Sequence, residues 1–208
     1  LTQQGRLDEA LQEYLELSEL YKQMAEIDEA RKTLEKAREM AASAKVDRRR
    51  SVEILHQMGD IDLSRLDWRR ALRVYEQVQK LDPIDDKARH NVIDLNLRLG
   101  QEEQAAKELD SYLELLVQSS RSSDALDLLE EMAREHPGKQ ALHSRLADAY
   151  RAAGRKADAI AQYDALGEIQ LDAGQAEAAA RTIQTIISLD PPDAEGYHEL
   201  LRNLQAGQ

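Results

Sequence analysis

The sequence predicts an all-α protein, a right-handed α-solenoid of about eleven antiparallel helices, and three observations carry that expectation. Gly (9) and Pro (4) are scarce among 208 residues, while Ala, Leu, Glu, Gln and Arg, which lose least on entering a helix, dominate. A six-residue phrase that opens on Gly or a small residue and closes on Ala recurs along the whole chain. Apolar residues then follow that Ala at the four- and seven-residue spacing of one helix face.

Taken in order, Gly5 to Ala10 (GRLDEA) opens a helix expected over 6–24, with Tyr14 and Tyr21 on its core side. Ala25 to Ala30 (AEIDEA) opens one over 27–44, with Leu34 and Ala37 following Ala30. From Ala30 to Ala71 the spacing is 41 residues, seven more than the 34 that separate Ala71 from Ala105. The excess lies near Ala41 to Arg50 and amounts to about two helical turns. A long second helix, and a third over 48–65 begun by the Lys45 to Arg50 segment, accommodate it. Leu66 to Ala71 (LDWRRA), a variant, opens 68–81, where Tyr75 and Val78 share a face and Pro83 stops the helix. A helix over 86–99 follows. Gly100 to Ala105 (GQEEQA) opens 102–119, and Ser120 to Ala125 (SRSSDA) opens 122–135, with Leu129 and Met132 inward and Pro137 beyond. After a helix over 139–153, Gly154 to Ala159 (GRKADA) opens 156–172. Gly174 to Ala179 (GQAEAA) opens 176–188, with Ile183 and Ile186 inward and Pro191 as the stop. A terminal helix over 193–205 carries Tyr197, Leu200, Leu201 and Leu204.

These residues resemble the tetratricopeptide repeat, a 34-residue helix-turn-helix unit with Leu-Gly and Tyr in helix A, Gly at the turn, and Ala, an aromatic, Ala and Pro in helix B. In 52–85, Met58-Gly59 stand for Leu-Gly, followed by Ala71, Tyr75, Val78 and Asp82-Pro83. Tyr150, Gly154, Ala159 and Tyr163 match a later repeat, and Leu166-Gly167, Gly174, Ala179, Ile183, Leu189, Asp190 and Pro191 the one after it. The physical logic holds without the name. Small residues at the crossings let backbones approach, and each pair leaves an apolar edge for the next to cover.

The array is irregular. Ala10 to Ala30, Ala105 to Ala125 and Ala159 to Ala179 are only 20 residues apart, too few for another helix pair. One longer helix therefore serves as helix B of one repeat and helix A of the next, over 6–24, 102–119 and 156–172. Seven copies result, near 5–24, 14–43, 52–85, 86–119, 106–139, 140–172 and 160–193, on a single solenoid over 1–208. From the absent initiator Met and a pattern that starts mid-repeat, a segment of a longer protein is expected, the alternative being that the terminal helix caps the array.

The resemblance implies a groove lined by helix A. Carried over residue by residue, it names Glu53, His56, Gln57 and Asp60, then Lys87, His90, Asn91, Asp94 and Arg98, and later Ser144, Arg145, Asp148 and Arg151. Helices that play both roles should break or redirect that groove. Some members of the family grip a terminal carboxylate with Lys, Asn and Arg. Here His56 and Asp60, Asn91, then Lys107 and Ser111 occupy those places, and Asp60 and Asp94 would repel an acidic tail.

Composition and motifs exclude most other chemistry. Zero Cys removes disulfides and thiolate sites, and the five His residues lack the spacing of a metal site. No phosphate loop, dinucleotide fingerprint or nucleophile elbow is present, so no enzyme and no cofactor is expected. A net charge of -12 opposes binding to nucleic acid or anionic membrane, and no run reaches the roughly 20 apolar residues of a membrane span. The cluster Arg48, Arg49, Arg50, Arg65, Arg69, Arg70 and Arg73 reads as a solvated face paired with Asp47, Asp60, Asp62 and Asp67. The expectation is a cytoplasmic scaffold for a protein or peptide partner. The alternatives are self-association through the terminal helices, or a regulatory segment of a larger signalling or enzymatic protein.

Overall fold

A computed structural model describes residues 2–44 and 46–206. Among the described residues every regular element is a helix: α1 (Thr2–Gln23), α2 (Ile27–Ala44), α3 (Arg48–Ser64), α4 (Trp68–Leu81), α5 (Asp86–Arg98), α6 (Glu102–Gln118), α7 (Ser122–Glu135), α8 (Gln140–Ala152), α9 (Lys156–Asp172), α10 (Ala176–Ser188) and α11 (Ala194–Ala206). The chain divides into two compact units, Leu1–Tyr112 and Leu113–Gln208, with the division inside α6. In the first unit α1 packs on α2, α2 on α3, α3 on α4 and α4 on α5; in the second, α7 packs on α8, α8 on α9, α9 on α10 and α10 on α11. Each of these helices thus packs against its neighbour in the chain, the all-α helix-pair arrangement the periodicity predicts.

The recurring phrase has a backbone meaning. Its first residue is left-handed in six of the seven copies: Ala25 (φ 60°), Leu66 (58°), Gly100 (72°), Ser120 (59°), Gly154 (73°) and Gly174 (70°). In each case the next amide donates to a carbonyl five residues back. These bonds are Glu26 to Tyr21, Asp67 to Asp62, Gln101 to Asn96, Arg121 to Leu116, Arg155 to Tyr150 and Gln175 to Gln170, all 2.8–2.9 Å. This is the Schellman closure, which satisfies the last carbonyls of one helix and aims the chain into the next. Gly5 departs from the rule, because α1 already runs from Thr2 and there is no helix end among the described residues for Gly5 to close. Its partner Ala10 is correspondingly only half-buried, whereas Ala30, Ala71, Ala105, Ala125, Ala159 and Ala179 are buried.

Other boundaries follow from caps. Asp47 accepts the Arg49 amide at 3.1 Å, Asp67 that of Arg70 at 3.1 Å and Asp85 that of Ala88 at 2.7 Å. The third helix starts where the expected span of 48–65 starts, within the Lys45–Arg50 segment. Lys45 lies outside the described residues, Val46 and Asp47 are not helical, and α3 begins at Arg48 under the Asp47 cap. At their C-terminal ends α4 and α7 stop before Pro83 and Pro137, where Asp82 and His136 leave the helical region as a following proline requires.

In the first unit the core runs through Leu11, Leu34, Ile54, Met58, Ile61, Tyr75 and Leu95. One ion pair is buried with it. Arg31 of α2 donates from Nε to Asp62 Oδ1 at 3.0 Å and from Nη2 to Oδ2 at 3.1 Å, with side chains only 7% and 1% exposed. Such a bidentate pair adds little net stability over an apolar contact, yet losing one partner costs about 3–5 kcal/mol, so it ties α2 to α3 in a single register. Gly59 sets the α3–α4 distance, since a Cβ there would lie 2.7 Å from Tyr75 Cζ. Gly167, the matching glycine in the second unit, has room: its Cβ would meet Thr182 Cγ2 at 4.0 Å.

Two outcomes follow for stability. Leu66→Gly relieves a left-handed leucine that is 73% exposed, and urea denaturation should show a gain of about 0.5–1 kcal/mol; a loss would contradict the capping role. Gly59→Ala should cost about 1–3 kcal/mol through overpacking. Gly167→Ala should be neutral or stabilising by up to about 1 kcal/mol, the helix-propensity gain. Equal effects at the two glycines would refute the close Tyr75 contact.

Candidate functional site

The residues singled out as groove-lining fall into two sets, one in each unit. In the first unit α3 presents His56 and Asp60 beside α5, which presents Lys87, His90, Asn91, Asp94 and Arg98. Most of their polar capacity is spent internally. His56 Nε2 lies 2.8 Å from Asp85 Oδ2, the carboxylate that also caps α5. Asp60 accepts the Tyr75 hydroxyl at 2.6 Å and the Lys87 ammonium at 2.7 Å. Asn91 turns its amide back onto the Lys87 carbonyl at 2.8 Å. Asp94 is buried and takes the Arg98 guanidinium at 2.7 Å, while the Arg98 guanidinium carbon sits 6.0 Å from the centre of the Trp68 ring. His90 is half-buried. This set is a charge-neutralising lattice between α3, α4 and α5.

The second unit differs. Ser144, Asp148 and Arg151 of α8 line an open cleft of about 350 Å³ together with Tyr163, Leu166 and Gln170 of α9 and Arg181, Thr182 and Thr185 of α10. Arg145 stands outside it, donating to the Ala141 carbonyl at 3.0 Å. Asp148 accepts the Tyr163 hydroxyl at 2.7 Å and the Arg151 guanidinium at 3.1 Å, and Thr182 donates to Gln170 at 2.7 Å. Among the described residues Arg181 has only a loose ion-pair contact, with Glu177 at 3.9 Å, and is exposed. The α9 and α10 members were missed by sequence reasoning. Their signal was present, since 178, 181, 182 and 185 form one stripe of α10, and it becomes legible once α9 is taken as the first helix of the pair that α10 completes.

A tyrosine-to-carboxylate bond recurs through both sets. Tyr75 to Asp60 and Tyr163 to Asp148 each span fifteen residues. Tyr112 donates to Asp86, Tyr150 to Glu130 and Tyr197 to Asp164, all at 2.7–2.8 Å. Burial first, and the accepting carboxylate second, push Tyr150, Tyr163 and Tyr197 up to about 12, and Tyr75 further still.

Comparison with known proteins agrees with this geometry. Residues 11–43 and residues 56–115 match profiles described as tetratricopeptide repeat, and residues 102–169 match the bacterial transcriptional activator domain. The chain thus carries tetratricopeptide repeats over residues 11–43 and 56–115. No curated protein sequence matches it. Solved structures similar to it include BtubC (BKLC) from P. vanneervenii, with 13% identity over 99% of this chain and 91% of that one and a TM-score of 0.48. MamA from Desulfovibrio magneticus RS-1 shows 19% identity over 87% and 95%, TM-score 0.46. A thermophilic tetratricopeptide protein from Thermus thermophilus shows 17% over 95% and 100%, TM-score 0.37. Among the described residues no helix is long and apolar enough to cross a membrane.

The tyrosines give a pH signature. Their folded-state pKa lies above the unfolded value of about 10, so the neutral phenol is favoured by the fold, and that stabilisation is complete below pH 10 and lost as pH rises through about 12. Absorbance titration of tyrosinate should show a late-ionising group of tyrosines, with Asp148→Asn bringing Tyr163 earlier. A single transition near pH 10 in the folded protein would rule the bonds out.

Proposed function

We propose that the chain is an interaction scaffold that holds a peptide segment of a protein partner in the α8–α10 cleft. The observation that supports this reading most directly is the contrast between the two polar sets. The α3–α5 residues are engaged with one another, while the α8–α10 cleft keeps a loosely held Arg181, the Ser144 hydroxyl and the apolar edge of Leu166 facing an open volume of about 350 Å³, with the Thr185 hydroxyl held on the Arg181 carbonyl at 3.1 Å. That mixture suits an extended chain, whose carbonyls and any carboxylate accept from Arg181 while a side chain rests on Leu166. Tetratricopeptide repeats generally mediate protein–protein contacts.

Peptides selected from a displayed random 12-residue library against the intact chain provide the test. Fluorescence anisotropy should show their affinity falling tenfold or more in Arg181→Glu and in Ser144→Trp, with Arg65→Ala, an exposed residue of the first unit, unchanged. Selected peptides that bind both cleft variants as well as the parent would sink the proposal.

A further inference from the structure

A second surface lies in the first unit, on elements that the α8–α10 cleft does not use. Between α2, α3 and α4 is a cleft of about 240 Å³ lined by Arg38, Ala41, Ala42, Ile54, Leu55 and Leu81, with Ser51 and Gln77 at its edge. It sits where the seven additional residues between Ala30 and Ala71 lengthen α2. The volume falls below the roughly 300–1,000 Å³ of small-molecule sites, so it fits one bulky side chain better than a metabolite.

The charge beside it is of the opposite sign to the protein. Gln77 and Leu81 belong to the row of α4 that also carries Arg69 and Arg73, spaced four residues apart along one face. Both arginines are exposed, and among the described residues neither guanidinium has a hydrogen-bond or ion-pair partner. Their expected pairing with interleaved aspartates does not occur: Asp60 is taken by Tyr75 and Lys87, Asp62 by Arg31, and Asp67 caps α4. Arg70 approaches Asp62 only at 3.7 Å and Arg65 goes to Asp28. At the other rim, Arg48 is held loosely by Asp82 at 3.9 Å. An apolar socket therefore continues, along α4, into a row of unneutralised guanidiniums in a chain whose net charge is -12.

We propose that this furrow docks an acidic amphipathic segment of a partner protein, an apolar side chain seated among Ala42, Leu55 and Leu81 and carboxylates lying over Arg73 and Arg69. The rise of α4 places those guanidinium-bearing residues roughly 9 and 15 Å from the middle of the socket, so the carboxylates follow the anchor at that span. A nucleic acid fits less well, because two cations satisfy few phosphates and the apolar socket would stay empty.

The probe is a fluorescein-labelled 16-residue helical peptide of Ala, Leu and Glu, leucines at one end and glutamates at the other. It should bind the intact chain and weaken between about 50 and 200 mM salt, as exposed charge pairs do. Arg69→Glu with Arg73→Glu should cost tenfold or more, Ala42→Phe, which fills the socket from an exposed position, should abolish binding, and Arg181→Glu should leave it intact. Equal binding of a peptide with Lys in place of Glu would overturn the proposal. So would full affinity in the charge-reversed chain, or a single-stranded oligonucleotide that binds as tightly as the acidic peptide.

Discussion

The contact between Gly59 and the Tyr75 ring governs the first unit. With no side chain at 59, the ring lies directly on the α3 backbone, and its hydroxyl then reaches Asp60 at 2.6 Å. Asp60 in turn takes Lys87 of α5, so one missing methyl group sets the spacing of α3 and α4 and, through a carboxylate, the placement of α5. Dense interiors transmit such constraints because there is no free volume to absorb a displacement. Arg31 and Asp62 make the corresponding statement on the other side of α3, where two parallel hydrogen bonds allow one register between α2 and α3.

The second unit reuses part of this device with looser tolerances. Tyr163 and Asp148 repeat the bond of Tyr75 and Asp60 at the same separation in the chain, yet Gly167 faces Thr182 across ordinary contact distance instead of a ring. Equivalent places in a repeat thus differ in what they demand. A glycine matched to the family pattern is sterically required at one and permitted at the other. The same divergence separates the polar faces. His56 is held by Asp85, and Asp60 by Tyr75 and Lys87, while Ser144 and Arg181 border open space, so the capacity to bind differs between units that share a pattern.

Irregular spacing has structural consequences of its own. Where the signature alanines stand 20 residues apart, α9 packs against both α8 and α10, and the cleft beside it draws on all three helices. Where they stand 41 apart, α2 is lengthened and the α2–α4 furrow appears with Ala41 and Ala42 in its wall. Departures from the 34-residue period, more than the period itself, place both surfaces.

Helix order and boundaries were legible from residue spacing because they depend on short-range physics. The phrase from Gly or a small residue to Ala encodes a Schellman closure and a helix crossing, and even Leu66, Ala25 and Ser120 adopt the left-handed turn that glycine takes elsewhere. Ten of the expected spans match observed helices to within one residue, the exception being α1, where Gly5 has no preceding helix to close. Which polar residues are already engaged was not legible. Asp60 and Asp148 occupy the same pattern position, Arg70 stands in one arginine cluster with its neighbours Arg69 and Arg73, and partner choice depends largely on side chains distant in sequence. Only the packed structure decides that Asp62 belongs to Arg31 and Asp60 to Tyr75 and Lys87, leaving Arg69 and Arg73 without a counter-ion among the described residues, because hydrogen-bond and ion-pair partners are assigned by distance in space, and spacing along a helix fixes only which face a residue shares.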